Sequence, residues 1–294
     1  MPPTVRGGAL IDPNLHTEGI TDMDGGGNDT ADPTPCDVRF GRLAVTLFPG
    51  GVVWWASMRT VLVADTHLGK EATFRRSSIP VPVGSTRQTL DSLSEAVERL
   101  KAERVIVLGD LFHDRLSLSE EIRGVVEGFW SRHADVRFVL VRGNHDVSVG
   151  RLPMAWPIED VGPRWTVEGD GCRVELAHLP ADPAEGVDVL MCGHLHPAVQ
   201  LRGFDPSLGK VPCYWHAMPR GGPTRGVHDA AVVDEAESRP AGGTLVLPAA
   251  GDFTGTAAVR PTTDDAVWLC AGSRVVRHRT DVRPRTRRRS LSRR

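Results

Sequence analysis

Three apolar runs, each long enough for one buried strand, stop abruptly at polar clusters. TVLVA (60–64) stops at Asp65-Thr66-His67, RVIVL (104–108) at Gly109-Asp110, and VRFVLV (136–141) at Arg142-Gly143-Asn144-His145-Asp146. Short β-branched runs without polar alternation belong to strands covered on both faces, as in parallel sheets. Leu90, Leu93, Val97 and Leu100 share one face of a helix expected over 85–102, and a second helix is expected from Ser117 to about His133. Ser85 with Gln88, and Ser117 with Glu120, have capping-box spacing. Strands alternating with helices give an α/β fold, in which ligands bind at the carboxyl ends of the strands. A sheet built from these runs would bring their polar clusters to one edge.

The rest of the chain divides by composition. Residues 42–48 and 52–56 flank Pro49-Gly50-Gly51 and read as a hairpin. Shorter strands are expected at 173–177, 187–192, 198–202, 211–215, 244–248 and 266–270. Residues 1–37, rich in Gly, Asp, Pro and Thr, read as a flexible extension, and 216–243 as a long polar insertion in which His216 and His228 are solvated. Residues 274–294 read as a flexible Arg-rich tail, leaving one domain over 38–273. The net charge of −2 hides an asymmetry: the tail carries +9, residues 1–36 carry −5 and the body −6. Such a tail suits phosphate neutralisation, and equally a solvated terminus without a partner.

Some classes are excluded. No apolar stretch reaches the roughly 18 residues of a membrane span, and the first residues lack the apolar core of a secretory signal. Five cysteines without CxxC spacing argue against a disulfide framework or thiolate zinc site and fit a reducing cytoplasm.

Five clusters carry the chemistry: Asp65-Thr66-His67, Gly109-Asp110, Gly143-Asn144-His145-Asp146, His178 after RVELA, and Gly193-His194-Leu195-His196 after VDVLMC. Imidazoles, carboxylates and one amide suit Mn, Fe, Zn or Ni and are poor for Cu(I) or iron–sulfur clusters. Asp65 and His67, like His194 and His196, are two apart, the spacing that shares a face in a strand. DxH and GD alone are weak signals; all five clusters in order, each after an expected strand, point to a metal site.

This series resembles the calcineurin-like metallophosphoesterase superfamily over about residues 42–270. The resemblance implies a four-layer sandwich of two mixed β-sheets flanked by helices. It also implies two divalent ions, with manganese favoured: Asp65, His67 and His196 on the first, Asn144, His178 and His194 on the second, and Asp110 bridging. His145 would face the substrate. Two cations about 3.5–4 Å apart can bind both non-bridging oxygens of a phosphate and lower the pKa of a bridging water. The resulting hydroxide attacks phosphorus in line, and His145 protonates the leaving oxygen as general acid. Arg142 would offset phosphate charge or pair with a carboxylate.

Where protein serine/threonine phosphatases carry an Asp, this chain has His113 (GDLFH), as in repair nucleases, where this His orients the substrate phosphate. ADTHLGK (64–70), Phe74-Arg75, LGDLFH, RGNHD, GHLHPAV, VPCYW and LPAAGDFTG (247–255) are similar to the ligase-associated DNA damage response endonucleases, the PdeM family. That similarity implies a DNA endonuclease of DNA repair, with DNA as partner and a DNA ligase and helicase in the same system. Two departures bear on substrate contacts: the 216–243 insertion, and Ala250 where the family has an aromatic residue. The alternative is a phosphoesterase acting on nucleotides or cyclic phosphodiesters with the same metals. A scaffold that has lost catalysis is disfavoured because every ligand position is filled.

Overall fold

A computed structural model describes residues 32–169, 171–201, 209–219, 237–239 and 241–279. The readings of residues 1–31, 220–236 and 280–294, His228 among them, lie outside this set. Among the described residues two mixed sheets face each other.

The first sheet contains β1 (Cys36–Phe40), β2 (Leu43–Phe48), β3 (Val52–Trp55), β4 (Thr60–Val63), β5 (Arg104–Leu108), β6 (Arg137–Val141) and β7 (Ile158–Asp160) in spatial order. Its first half is an antiparallel meander, and β4 through β7 run parallel. The second sheet is built from β8 (Arg164–Gly169), β9 (Cys172–Ala177), β10 (Val189–Cys192), β11 (Pro197–Gln200) and β12 (Lys210–Ala217). The short β13 (Glu237–Arg239) returns to pair in parallel with β1, so the chain closes the edge of the first sheet. The second sheet is completed by β14 (Thr244–Val246), β15 (Ala257–Ala258), β16 (Ala266–Ala271) and β17 (Arg274–His278). There β9, β10 and β14 are mutually parallel.

Side-chain alternation assigns the faces. Leu62, Ile106, Leu108, Val139 and Val141 point between the sheets, against Val174, Leu176, Met191, Leu245 and Trp268. Their neighbours Val61, Val63, Val105, Val107, Phe138 and Leu140 point the other way, into a second core under the helices. Burying each such side chain contributes about 1.5–3 kcal/mol, which makes strand register insensitive to local propensity. Tyr214, fully buried on β12, shares its hydroxyl proton between the carbonyls of Phe48 (2.7 Å) and Val52 (2.8 Å), tying the second sheet to the β2–β3 hairpin.

The helices are α1 (Lys70–Arg76), α2 (Ser85–Leu100), α3 (Glu120–Arg132) and α4 (Asn144–Val149). Ala72, Leu90, Leu93, Val97, Ile122, Val126, Phe129, Trp130 and Val149 all belong to the core on the outer face of the first sheet. Among the described residues no helix covers the second sheet's outer face. Neither expected capping box forms as read. Gly84 precedes α2, and the carboxylate of Glu71 on α1 accepts from the Thr86 N–H and hydroxyl, doing the cap's work from another helix. Ser117 closes a 3-10 turn with Asp114, and Ser119 caps α3.

Three other readings need correction. Cys36 and Asp37, expected at the end of the extension, open β1, and Thr34 exchanges backbone hydrogen bonds with Ser273 and Val275. His216 is on β12, fully buried against Phe40, with a ring nitrogen 3.0 Å from the Gly242 carbonyl; it is no solvated loop residue. Arg274–His278, expected within the tail, is β17: Val275 buries inward, and Arg277 on the same face lays its guanidinium over the Trp268 ring at 5.0 Å.

Candidate metal centre

The parallel strands β4, β5, β6, β9 and β10 end at Val63, Leu108, Val141, Ala177 and Cys192. Asp65, Asp110, Asn144, His178 and His194 each follow within three residues. The turns are tight enough that Asp65, His67, Asp110, His194 and His196 all take positive φ, between 44° and 71°. A non-glycine residue there costs about 1–2 kcal/mol. The shared strand face expected from the i,i+2 spacing is not found: both pairs have left the sheet, and His194 and His196 go to different groups.

The first group is Asp65, His67 and His196. Asp65 Oδ1 lies 3.4 Å from His196 Nε2, and the other Asp65 oxygen accepts the His194 N–H at 2.8 Å. The Nδ1–H of His196 donates to the Gly255 carbonyl at 3.0 Å, which leaves Nε2 with its lone pair toward Asp65. The second group is Asp110, His178 and His194. His178 Nδ1–H donates to the Leu108 carbonyl at 3.0 Å. Its Nε2 then faces Asn144 Oδ1 at 2.9 Å, His194 Nδ1 at 3.1 Å and Asp110 Oδ2 at 3.3 Å. Asp110 Oδ2 is also 3.8 Å from His67 Nε2, so this one oxygen stands between the groups.

The donor set fits divalent cations. Asp65 Oδ1 and His67 Nε2 are buried and without a hydrogen-bond partner among the described residues. Such atoms cost roughly 1–3 kcal/mol each unless something accepts their lone pairs. Asn144 Oδ1, His194 Nδ1 and Asp110 Oδ2 lie 2.9, 3.1 and 3.3 Å from His178 Nε2, separations that suit ligands on one cation with bonds of about 2.1 Å. Burial, opposed by the Asp110 carboxylate, holds His67 down at about 3, and burial with the neighbouring His178 lowers His194. Both are thus neutral and able to ligate at neutral pH. Burial pushes Asp110 up, but the hydrogen bond and charge of His178 and the His145 N–H outweigh it and leave the carboxyl below its ordinary value.

Glycines give the loops their proximity. At Gly109, which takes φ +79°, an added Cβ would lie 2.3 Å from His178 Nδ1; at Gly193 it would lie 2.4 Å from Asp65 Oδ2.

His145 and His113 flank the groups. The N–H of His145 donates to Asp110 Oδ1 at 2.8 Å, its Nδ1–H donates to the His113 carbonyl, and its Nε2 points inward, 4.0 Å from Asp110 Oδ2. His113 stacks on His145, with centroids 5.0 Å apart, and its Nδ1 is 3.4 Å from His67 Nδ1. Arg142 pairs with Asp160 on β7, the second of its two expected roles.

Two contributors carried no assigned role in the sequence. Asp146 is buried and accepts from the N–H groups of Asp110 (2.8 Å), Gly143 (2.9 Å) and Phe112 (3.4 Å), joining the β5 and β6 loops. Burial raises its pKa to about 6 against those hydrogen bonds. Its place in GNHD was the available signal. Lys70, at the start of α1, has its ammonium over the rings of Phe74 and Phe253, and burial lowers its pKa.

Residues 58–179 match the calcineurin-like phosphoesterase family model. No curated protein matches. Among solved structures, the Pseudomonas putida nuclease MPE superposes with a TM-score of 0.64 at 26% identity, covering 83% of this chain and 100% of that one. The phosphoesterase Yfce from E. coli is 18% identical with a TM-score of 0.36, covering 72% of this chain and 88% of that one. The protein of unknown function AQ665 from Aquifex aeolicus is 20% identical at 0.35, covering 49% and 81%.

Proposed function

We propose that this chain, which belongs to the calcineurin-like phosphoesterases and is a metal-dependent hydrolase, cuts phosphodiester bonds in DNA and serves DNA repair in the cytoplasm. The observation that carries the reading is Asp110 Oδ2, shared between His67 on one side and His178 on the other, with His145 beside it. The resemblance to a nuclease across its whole length supports nucleic acid as substrate.

Asp65, His67 and His196 would hold one divalent cation and Asn144, His178 and His194 another, with Asp110 on both; bound there, manganese or a similar ion would activate water and neutralise phosphate charge. The protein's own groups do the rest. The His113 carbonyl fixes Nδ1 of His145 as a donor, so the protonated ring aims its Nε2–H into the site, where it can pass a proton to the leaving oxygen. Asp110 Oδ1 anchors the same residue through its backbone and couples the acid to the metal ligand. His113, stacked on His145 at the mouth, can donate to a non-bridging phosphate oxygen. DNA ligase and helicase partners rest on the PdeM resemblance alone, as does the cytoplasmic setting on the cysteine content.

Covalently closed circular DNA incubated with manganese tests the reading, beside a chelated sample and His145→Ala. Cutting by wild type and silence in both controls are expected; a circle has no ends, so every cut is endonucleolytic. Intact DNA from a sample that hydrolyses a small phosphodiester would overturn the DNA assignment and leave the small-substrate phosphoesterase.

A further inference from the structure

An aromatic row leads outward from the centre. The His145 and His113 rings are 5.0 Å apart and 22° from parallel; His113 and Phe74 are 6.1 Å apart and 17° from parallel; Phe253 meets Phe74 edge-on at 5.8 Å. Neither phenylalanine belongs to an apolar core cluster, and Phe253 is 36% exposed. Two phenyl rings left partly in water beside a row of imidazoles are not serving the core.

Lys70 completes the group. Its ammonium stands 6.0 Å from both ring centroids, the outer limit of a cation–π contact. Among the described residues it has no carboxylate within ion-pair range and no hydrogen bond, although it is only partly exposed. Lys70 follows His67 by three residues and donates its backbone N–H to the His67 carbonyl at 3.2 Å, which ties the start of α1 to the Asp65–His67 turn. A cation without a carboxylate partner is suited to pair with an anionic ligand.

The supports are rigid. Glu71, next to Lys70, is buried and bonded to Thr86, and Thr73 donates to Asp114 Oδ1 at 3.0 Å, which pins α1 on both sides of the site. The Phe253 loop is tied to the Asp65 turn: Ala250 N–H donates to the Ala64 carbonyl at 2.9 Å and Gly251 N–H to the Asp65 carbonyl at 3.2 Å. Asp252 N–H donates to Thr89 Oγ1 at 3.0 Å. Phe253 is thus held close to the Asp65 turn although it lies on a loop.

We propose that Phe74, Phe253 and Lys70 form a nucleoside subsite beside the metal centre, the rings stacking the base that flanks the scissile phosphate and the ammonium pairing with a phosphate oxygen. This rests on the nucleic-acid reading above and names the groups that carry it. Aromatic faces accept any base, so the subsite gives affinity without sequence preference.

Kinetics of the full chain with manganese on two esters of the same leaving group test it: the para-nitrophenyl ester of thymidine monophosphate, and methyl para-nitrophenyl phosphate. In wild type KM is lower for the thymidine ester. Phe253→Ala raises that KM about tenfold more than it raises the methyl ester's KM, the scale of one lost base stack. Phe253→Trp restores the difference, Phe74→Leu reduces it, and Lys70→Met raises KM for both esters. An equal KM ratio in wild type and Phe253→Ala overturns the subsite, as does a wild type without preference for the thymidine ester. The failure of the DNA reading is separate: both esters are hydrolysed while circular DNA stays whole, and the KM ratio still decides the subsite.

Discussion

The backbone N–H of His194 donates to Asp65 Oδ2 at 2.8 Å, across 129 residues of chain and from one sheet to the other. The second oxygen of that carboxylate is buried, has no hydrogen-bond partner among the described residues, and lies 3.4 Å from His196 Nε2. One side chain therefore joins the loops of β4 and β10 and points a lone pair at the place where a cation fits. Structural and chemical roles fall on different oxygens, so they can be separated by substitution.

Asp65→Asn keeps an oxygen that can accept from His194 and removes the charge. In chelator its melting temperature should stay close to that of wild type, since the bond from the His194 N–H is kept. With manganese at about 100 times its Kd, wild type gains about 2.7 kcal/mol. The variant should gain much less and lose hydrolysis by two or more orders of magnitude. Calorimetry with and without manganese reads both effects; an equal gain in the two proteins would remove Asp65 from the ligand set.

Asp146→Ala should damage stability and the site together. It strips the partner from three buried N–H groups, two of them at Asp110 and Gly143, each worth roughly 1–3 kcal/mol when orphaned. We expect an urea midpoint lower by the equivalent of several kcal/mol and weaker manganese binding, because Asp110 and Asn144 lose their fixed separation. A variant with wild-type stability but altered metal affinity would mean that Asp146 acts only on the ligands.

The loops that carry the candidate ligands were legible because each follows a strand whose burial leaves little choice of sequence. Leu62, Ile106 and Val139 read as buried strands for that reason. The local geometry was not legible: the positive φ values at Asp65, His67, His194 and His196 are imposed by their tertiary partners, and spacing rules for a strand fail there. Gly84 precedes α2 without a side chain to cap it, and the Thr86 N–H in the first turn goes instead to Glu71, 15 residues away in sequence, so no local pattern could report the cap. Polar neighbours misled at two places. His216 sits beside a Pro- and Gly-rich segment, yet the pairing of β12 with β14 and β16 buries it; the arginines of β17 hide Val275.

Gly109→Ala should disable the second group while leaving the first. The methyl would meet the His178 ring at 2.3 Å, and the residue would keep φ near +79°, where a Cβ is strained. His178 must move, and with it the Nε2 that faces Asn144, Asp110 and His194. Titration of the chelated protein with manganese should show about half the wild-type stoichiometry. Two retained ions with unchanged affinity would show that the loop yields without moving His178.

His216 predicts a stability loss in mild acid. Burial, with Arg239 next in effect, lowers its pKa to about 4, against 6.5 for an ordinary imidazole. Between these values the unfolded chain holds a proton that the folded chain does not, so stability rises with pH across this window. The contribution is fully present above about pH 6.5 and falls away as pH drops toward about 4, by which point the loss is on the order of 3 kcal/mol. Gln in place of His216 can keep a donor toward the Gly242 carbonyl and cannot titrate. Urea denaturation at pH 7 and pH 5 should therefore show a smaller fall for His216→Gln than for wild type. Parallel losses in the two proteins would assign the acid sensitivity to the carboxylates instead.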